Sequence, residues 1–164
     1  MRVLYILATI LLVPLLVGNR WPNAPRSFYA AWNQGHLLFF GLWTALLVRR
    51  YPDLMRRSLP AQLAIVLVFA LIFGGVAELL QMMGGNGPPS AVDMSRNLLG
   101  ALTGWTFFSP AFTHRPPICR WSGRVVVAAL IIVSLLPLAR ALVDEVAVHR
   151  AFPLLAGFDQ PFEL

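Results

Sequence analysis

Residues 61–83 read AQLAIVLVFALIFGGVAELLQMM, apolar or glycine throughout from Leu63 to Ala77 and then interrupted by Glu78 and Gln81. A helix of about 20 such residues crosses the roughly 30 Å hydrocarbon layer of a bilayer. A carboxylate near the end of such a helix is costly, by roughly 2.5 to 3.5 kcal/mol on insertion scales, and faces a bundle interior or a water-filled cavity rather than lipid. This stretch therefore decides the class: an all-α membrane helix bundle with a polar site near one end of its helices.

The surrounding composition agrees. Of 164 residues, 58% are apolar and 12% charged, and the mean hydropathy is +0.70. A soluble domain carries about a quarter charged residues, so an ordinary water-soluble fold is excluded. All 13 basic residues are arginine, against 7 acids. They cluster between apolar spans, as the positive-inside rule requires, so the basic balance does not point to nucleic acid. The single cysteine, Cys119, excludes an intrachain disulfide framework and a cysteine-rich metal site.

Working outward from 61–83, about five spans are expected, near 3–17, 28–48, 61–83, 91–112 and 125–142. The first follows Met1-Arg2 and has the form of either a signal peptide or a retained helix; no small-x-small cleavage site follows it, which favours retention. The span at 28–48 carries Trp32, Asn33, Gln34 and His36 in its first half. Ser90 and Asp93 have capping-box spacing, which starts a helix there. The preceding Gly84-Gly85-Asn86-Gly87-Pro88-Pro89 is a turn, because glycine is flexible and the paired prolines lack amide donors. Residues 1–142 form the bundle and 143–164 an outward-facing tail.

The arginine-rich loops 49–60 and 113–124 are expected on the cytoplasmic side, with the N-terminus. The loops 19–27 and 84–90 and the tail after Leu142 then face outward. On this topology His36, Glu78, Gln81, Asp93 and Asn97 share one depth at the outer helix ends. Glu78 with Gln81, and Asp93 with Asn97, have spacings that share a helical face. Gly100 and Gly104 form a Gly-x-x-x-Gly surface for close helix packing, with the helix bearing Gly74 and Gly75 as the candidate partner.

Gly35-His36-Leu37-Leu38-Phe39-Phe40, then Glu78-Leu79-Leu80-Gln81, then Ser90-Ala91-Val92-Asp93, then Asn97-Leu98-Leu99-Gly100 and Gly104 follow one another in an order and spacing that resembles the VanZ-like family of bacterial membrane proteins. The resemblance covers roughly residues 30–108. It implies a multi-pass protein of the bacterial cytoplasmic membrane and a link to resistance against the glycopeptide teicoplanin, without implying a reaction. Family members usually carry an arginine in the loop before the Ser-x-x-Asp segment; here the nearby charge is Arg96. The tail Phe152-Pro153-Leu154-Leu155-Ala156-Gly157-Phe158-Asp159 resembles the junction at which longer members begin an outer domain.

Two functions fit these residues. In the first, an outer-leaflet site binds or acts on a lipid-linked or other amphipathic envelope molecule, or on a glycopeptide. Glu78 or Asp93 would serve as acid or base, His36 as proton partner, and Gln81, Ser90, Asn97 and Arg96 would orient the headgroup. In the second, the polar cluster holds the helices together in a non-enzymatic scaffold. There is no His-Glu-x-x-His, no Gly-x-Ser-x-Gly and no Walker lysine. A metal site of His36, Glu78 and Asp93 is chemically feasible but has no local spacing signature, so no metal or cofactor is expected.

Overall fold

The computed structural model describes residues 24–85 and 87–151. The expected first span and the residues from 152 onward lie outside the described residues. Within them the chain is helical and without strands.

The elements are α1 (Arg26–Trp32), α2 (Gly35–Arg50), a short 3-10 turn (Leu54–Arg56), α3 (Leu59–Met83), α4 (Ala91–Phe108), α5 (Pro110–Thr113) and α6 (Pro117–Ala151). α3 places Pro60 in its first turn, where a missing amide costs nothing. It ends at Gly84, followed by Gly85 at φ +79°, a left-handed conformation that suits glycine. α4 starts as expected from its cap: the Ser90 side chain accepts the backbone N–H of Asp93 at 3.2 Å.

Three boundaries correct the sequence reading. The apolar stretch 28–48 is not one helix, because the chain breaks between α1 and α2 at Asn33 and Gln34. Asn33 and Gly35 are weak helix formers, and the Gln34 N–H tightens onto the Ala31 carbonyl at 3.0 Å. The span expected at 91–112 is divided at Ser109, with Pro110 opening α5. The last span is much longer than 125–142, so Arg120 and Arg124 stand on α6 rather than in a loop. Its interior proline, Pro137, removes the amide that would bond the Val133 carbonyl.

Among the described residues, two helices are on their own long and apolar enough to cross a membrane: Leu59–Met83 and Pro117–Arg150. At 25 residues, α3 is about 37 Å long. Only 28% and 6% of their apolar windows are buried, so both helices expose most of their apolar surface. Leu71, Ile72, Phe73 and Val76 on α3, and Val125, Val126, Ile132 and Val133 on α6, are exposed.

The buried core lies among α2, α3 and α4, built on Phe39, Phe40, Val66, Ala70, Ala101 and Trp105. α2 and α4 run parallel and nearly touch. A Cβ added at Gly100 would lie 2.4 Å from the Leu37 carbonyl oxygen, and one at Gly104 would lie 2.4 Å from the Gly41 carbonyl oxygen. The partner of the Gly100/Gly104 surface is thus α2, through Gly41, and not α3 as the sequence suggested. Gly74 instead makes room for the Asn97 side chain, and Gly75 faces open space.

α6 runs back along this core and beyond it. The Gln34 side chain donates to the Ser134 carbonyl at 3.1 Å, and Ser134 Oγ donates to Gln34 Oε1 at 3.3 Å. Further along, Glu145 accepts from the Ser27 backbone N–H at 2.9 Å and from its hydroxyl at 2.6 Å. A carboxylate at the first turn of α1 is favourably placed for the helix dipole.

Candidate functional site

The parallel α2 and α4 both begin at the end of the bundle where α3 finishes. This topology brings the first turn of α2, the last two turns of α3 and the first two turns of α4 together. His36, Glu78 and Asp93 come one from each helix, and one potential ligand atom of each lies within 4.8 Å of the others. Interleaved apolar residues on the same helices supply the core beneath them.

His36 is buried, with 3% of its surface exposed, and is held on both ring nitrogens. Gln81 Nε2 donates to His36 Nε2 at 3.1 Å. His36 Nδ1 therefore carries the proton and donates to Asn97 Oδ1 at 2.9 Å. α2, α3 and α4 are thus tied by one ring. Asn97 is fully buried, and its Nδ2 has no hydrogen-bond partner.

Glu78 is also buried, at 4% exposure. Its Oε2 accepts the Ser90 backbone N–H at 2.6 Å, while its Oε1 is buried without a hydrogen-bond partner. In a complete capping box the residue at position 93 would reach back to that N–H. Glu78 takes this place from across the turn, and Asp93 turns instead to Arg96 in a nearly buried ion pair with Arg96 Nη1. Arg96 Nε is itself buried without a partner.

Every residue expected at the site is in this cluster: His36, Glu78, Gln81, Ser90, Asp93, Arg96 and Asn97. Gly100 and Gly104 lie below it on α4 and set the distance from α2. A groove of about 410 Å³ opens beside the cluster, lined by Gly75, Glu78, Leu79, Pro89, Ser90 and Met94. A second, of about 420 Å³, runs between α4 and α6 past Arg96, Leu99, Leu102, Leu130, Val133 and Pro137.

Sequence reasoning overlooked a second polar group at the opposite end. Gln62 is buried, donates to the Arg57 carbonyl at 2.8 Å, and accepts from Trp105 Nε1 at 3.2 Å and Ser109 Oγ at 3.3 Å. Its signal was a glutamine in the first turn of an apolar span. Arg49 and Arg124 lie at this end, stacked over Phe108 and Phe107 at 4.9 and 5.1 Å.

Comparison of the chain with protein-family models, with curated proteins and with solved structures gives no match.

Proposed function

We propose that the chain is a VanZ-like, multi-pass protein of the bacterial cytoplasmic membrane whose cluster at the His36 end of the bundle binds or acts on an amphipathic envelope molecule at the outer leaflet. The observation that carries this reading is the convergence of His36, Glu78 and Asp93, from separate helices, around a buried carboxylate oxygen with no partner. Fixed carboxyl groups and an imidazole in a partly desolvated site are suited to proton transfer. Glu78 or Asp93 acts as acid or base and His36 as proton partner. Gln81, Ser90, Asn97 and Arg96 orient the headgroup.

The groove between α4 and α6 supports an amphiphile as the ligand. It is leucine-lined and passes Arg96, so an apolar chain in it would bring a polar headgroup to the cluster. Membrane insertion is supported by the exposed apolar faces of α3 and α6. The five-span topology, with a cytoplasmic N-terminus, is supported by Arg49, Arg50, Arg56, Arg57, Arg115, Arg120 and Arg124, which stand away from the cluster on the opposite helix ends.

A scaffold is the second reading. It is favoured by the His36 ring bonding at once to α3 and α4, an arrangement that would hold three helices with or without a substrate. Expression in a teicoplanin-sensitive bacterial host separates the two. The wild-type chain is expected to raise the teicoplanin concentration the host survives, relative to empty vector, and His36→Gln at equal membrane abundance is expected to lose the effect. Retention by His36→Gln favours the scaffold; no effect of the wild-type chain removes the link to glycopeptides.

A further inference from the structure

The cluster has an unbalanced charge. Glu78 brings a buried carboxylate and Asp93 a largely covered one, and among the described residues Arg96 is the cationic side chain in an ion pair with them, through Asp93. A buried carboxylate oxygen with no partner, as Glu78 Oε1 is, is unfavourable, and a proton or a cation would complete it. Several features distinguish a site for a cation. His36 Nδ1–H is fixed on Asn97 Oδ1 at 2.9 Å, which leaves the Nε2 lone pair directed away from that bond. This is the arrangement by which outer partners orient metal-binding histidines. Glu78 Oε1 is buried and unpartnered, and the carboxylate is held by its other oxygen on the Ser90 amide.

We infer that His36, Glu78 and Asp93 bind a first-row divalent transition-metal ion, with Asn97 as the positioning residue for His36. Ligand atoms about 2.1 Å from one tetrahedral ion are about 3.4 Å apart, so the widest pair, within 4.8 Å here, closes by up to roughly 1.4 Å, a movement that rotation of the carboxylate side chains supplies. Gln81 Nε2 would leave His36 Nε2 when the ion arrives, a rotation of a partly exposed side chain. One nitrogen and two carboxylates suit zinc or manganese and discriminate against magnesium, which prefers an all-oxygen shell. Three protein ligands leave a coordination position open. The inference deepens the proposed function by naming the cation of the same site, and its test requires no envelope molecule.

Full-length protein in detergent is stripped with a chelator, incubated with Zn²⁺ or Mg²⁺ alone, desalted and assayed for bound metal by mass spectrometry. About one Zn²⁺ per chain is expected to remain, and Mg²⁺ is not. Glu78→Gln and His36→Gln, each checked for unchanged helical circular dichroism, are expected to weaken Zn²⁺ at least tenfold, and Asn97→Ala by about 10- to 100-fold. A Cys119→Ser/His149→Gln variant, which removes two exposed groups able to bind zinc adventitiously, is expected to retain the ion. Failure of the wild-type chain to retain Zn²⁺, equal retention of Mg²⁺, or unchanged retention by both Glu78→Gln and His36→Gln would overturn the inference. Those results would leave the proton-transfer reading intact, whereas a metal-binding chain without effect on glycopeptide tolerance would fail only the latter.

Discussion

Glu78 caps α4 from outside that helix: its Oε2 accepts the backbone N–H of Ser90 at 2.6 Å across the turn between α3 and α4. The bond places a carboxylate at a helix N-terminus, where the dipole favours it. It also frees Asp93 from completing the capping box, so that Asp93 pairs with Arg96. One contact thus sets both the join of two helices and the charge layout of the site.

The first prediction follows from what remains when that carboxylate is altered. Glu78→Ala leaves the Ser90 N–H without its acceptor and is expected to destabilise the protein by about 1 to 3 kcal/mol. Glu78→Gln keeps an oxygen for the bond and is expected to unfold close to the wild type. Thermal unfolding in detergent, followed by helical circular dichroism, distinguishes them; equal losses would show that the cap is immaterial.

A second prediction concerns the α2–α4 contact. Gly100→Ala and Gly104→Ala each drive a methyl group to within 2.4 Å of a backbone oxygen on α2, and neither backbone can yield without separating the helices. Each is expected to cost at least about 1 to 3 kcal/mol and to lower membrane abundance. Gly75→Ala, which meets nothing within 4 Å, is expected to be neutral or slightly stabilising. Abundance of the three variants in membranes checks the ranking.

Arg96 supplies a third. Asp93→Asn strands a guanidinium that is 7% exposed, at an expected cost of roughly 3 kcal/mol. Adding Arg96→Met removes the stranded charge, so the double variant is expected to be more stable than Asp93→Asn alone. Additive losses in a double-mutant cycle would show that the two side chains do not act as a pair.

At the opposite end, Gln62→Leu is expected to destabilise by about 1 to 3 kcal/mol, because the buried Trp105 indole N–H loses its acceptor. Unfolding in detergent measures it, and an unchanged midpoint would mean that the Gln62 bond contributes nothing net.

What could be read from the residues divides along physical lines. The α3 pattern, the glycine and proline turn at 84–89 and the Ser90 start of α4 are local signals, and the helices follow them. The site cluster was readable because an acid within an apolar span is costly wherever it stands, so Glu78 near the end of α3 and Asp93 near the start of α4 mark the same end of the bundle. The break at Asn33 was hidden by apolar residues on both sides of it. The extension of α6 through Asp144 and Glu145 was hidden because its charges read as a tail; Ser27, distant in the chain, is what holds Glu145. The Gly41 partner of Gly100 was missed for a similar reason, since a lone glycine announces no partner.

The decisive question is whether Glu78 works through its charge or through its hydrogen bond. Teicoplanin tolerance of a host expressing wild-type chain or Glu78→Gln, at equal membrane abundance, answers it directly. Loss of the wild-type tolerance in Glu78→Gln is the expected result, because the variant retains the Ser90 bond but has no ionisable carboxylate. Full tolerance in Glu78→Gln would contradict a proton-transferring or ion-binding Glu78 and reduce the cluster to helix packing.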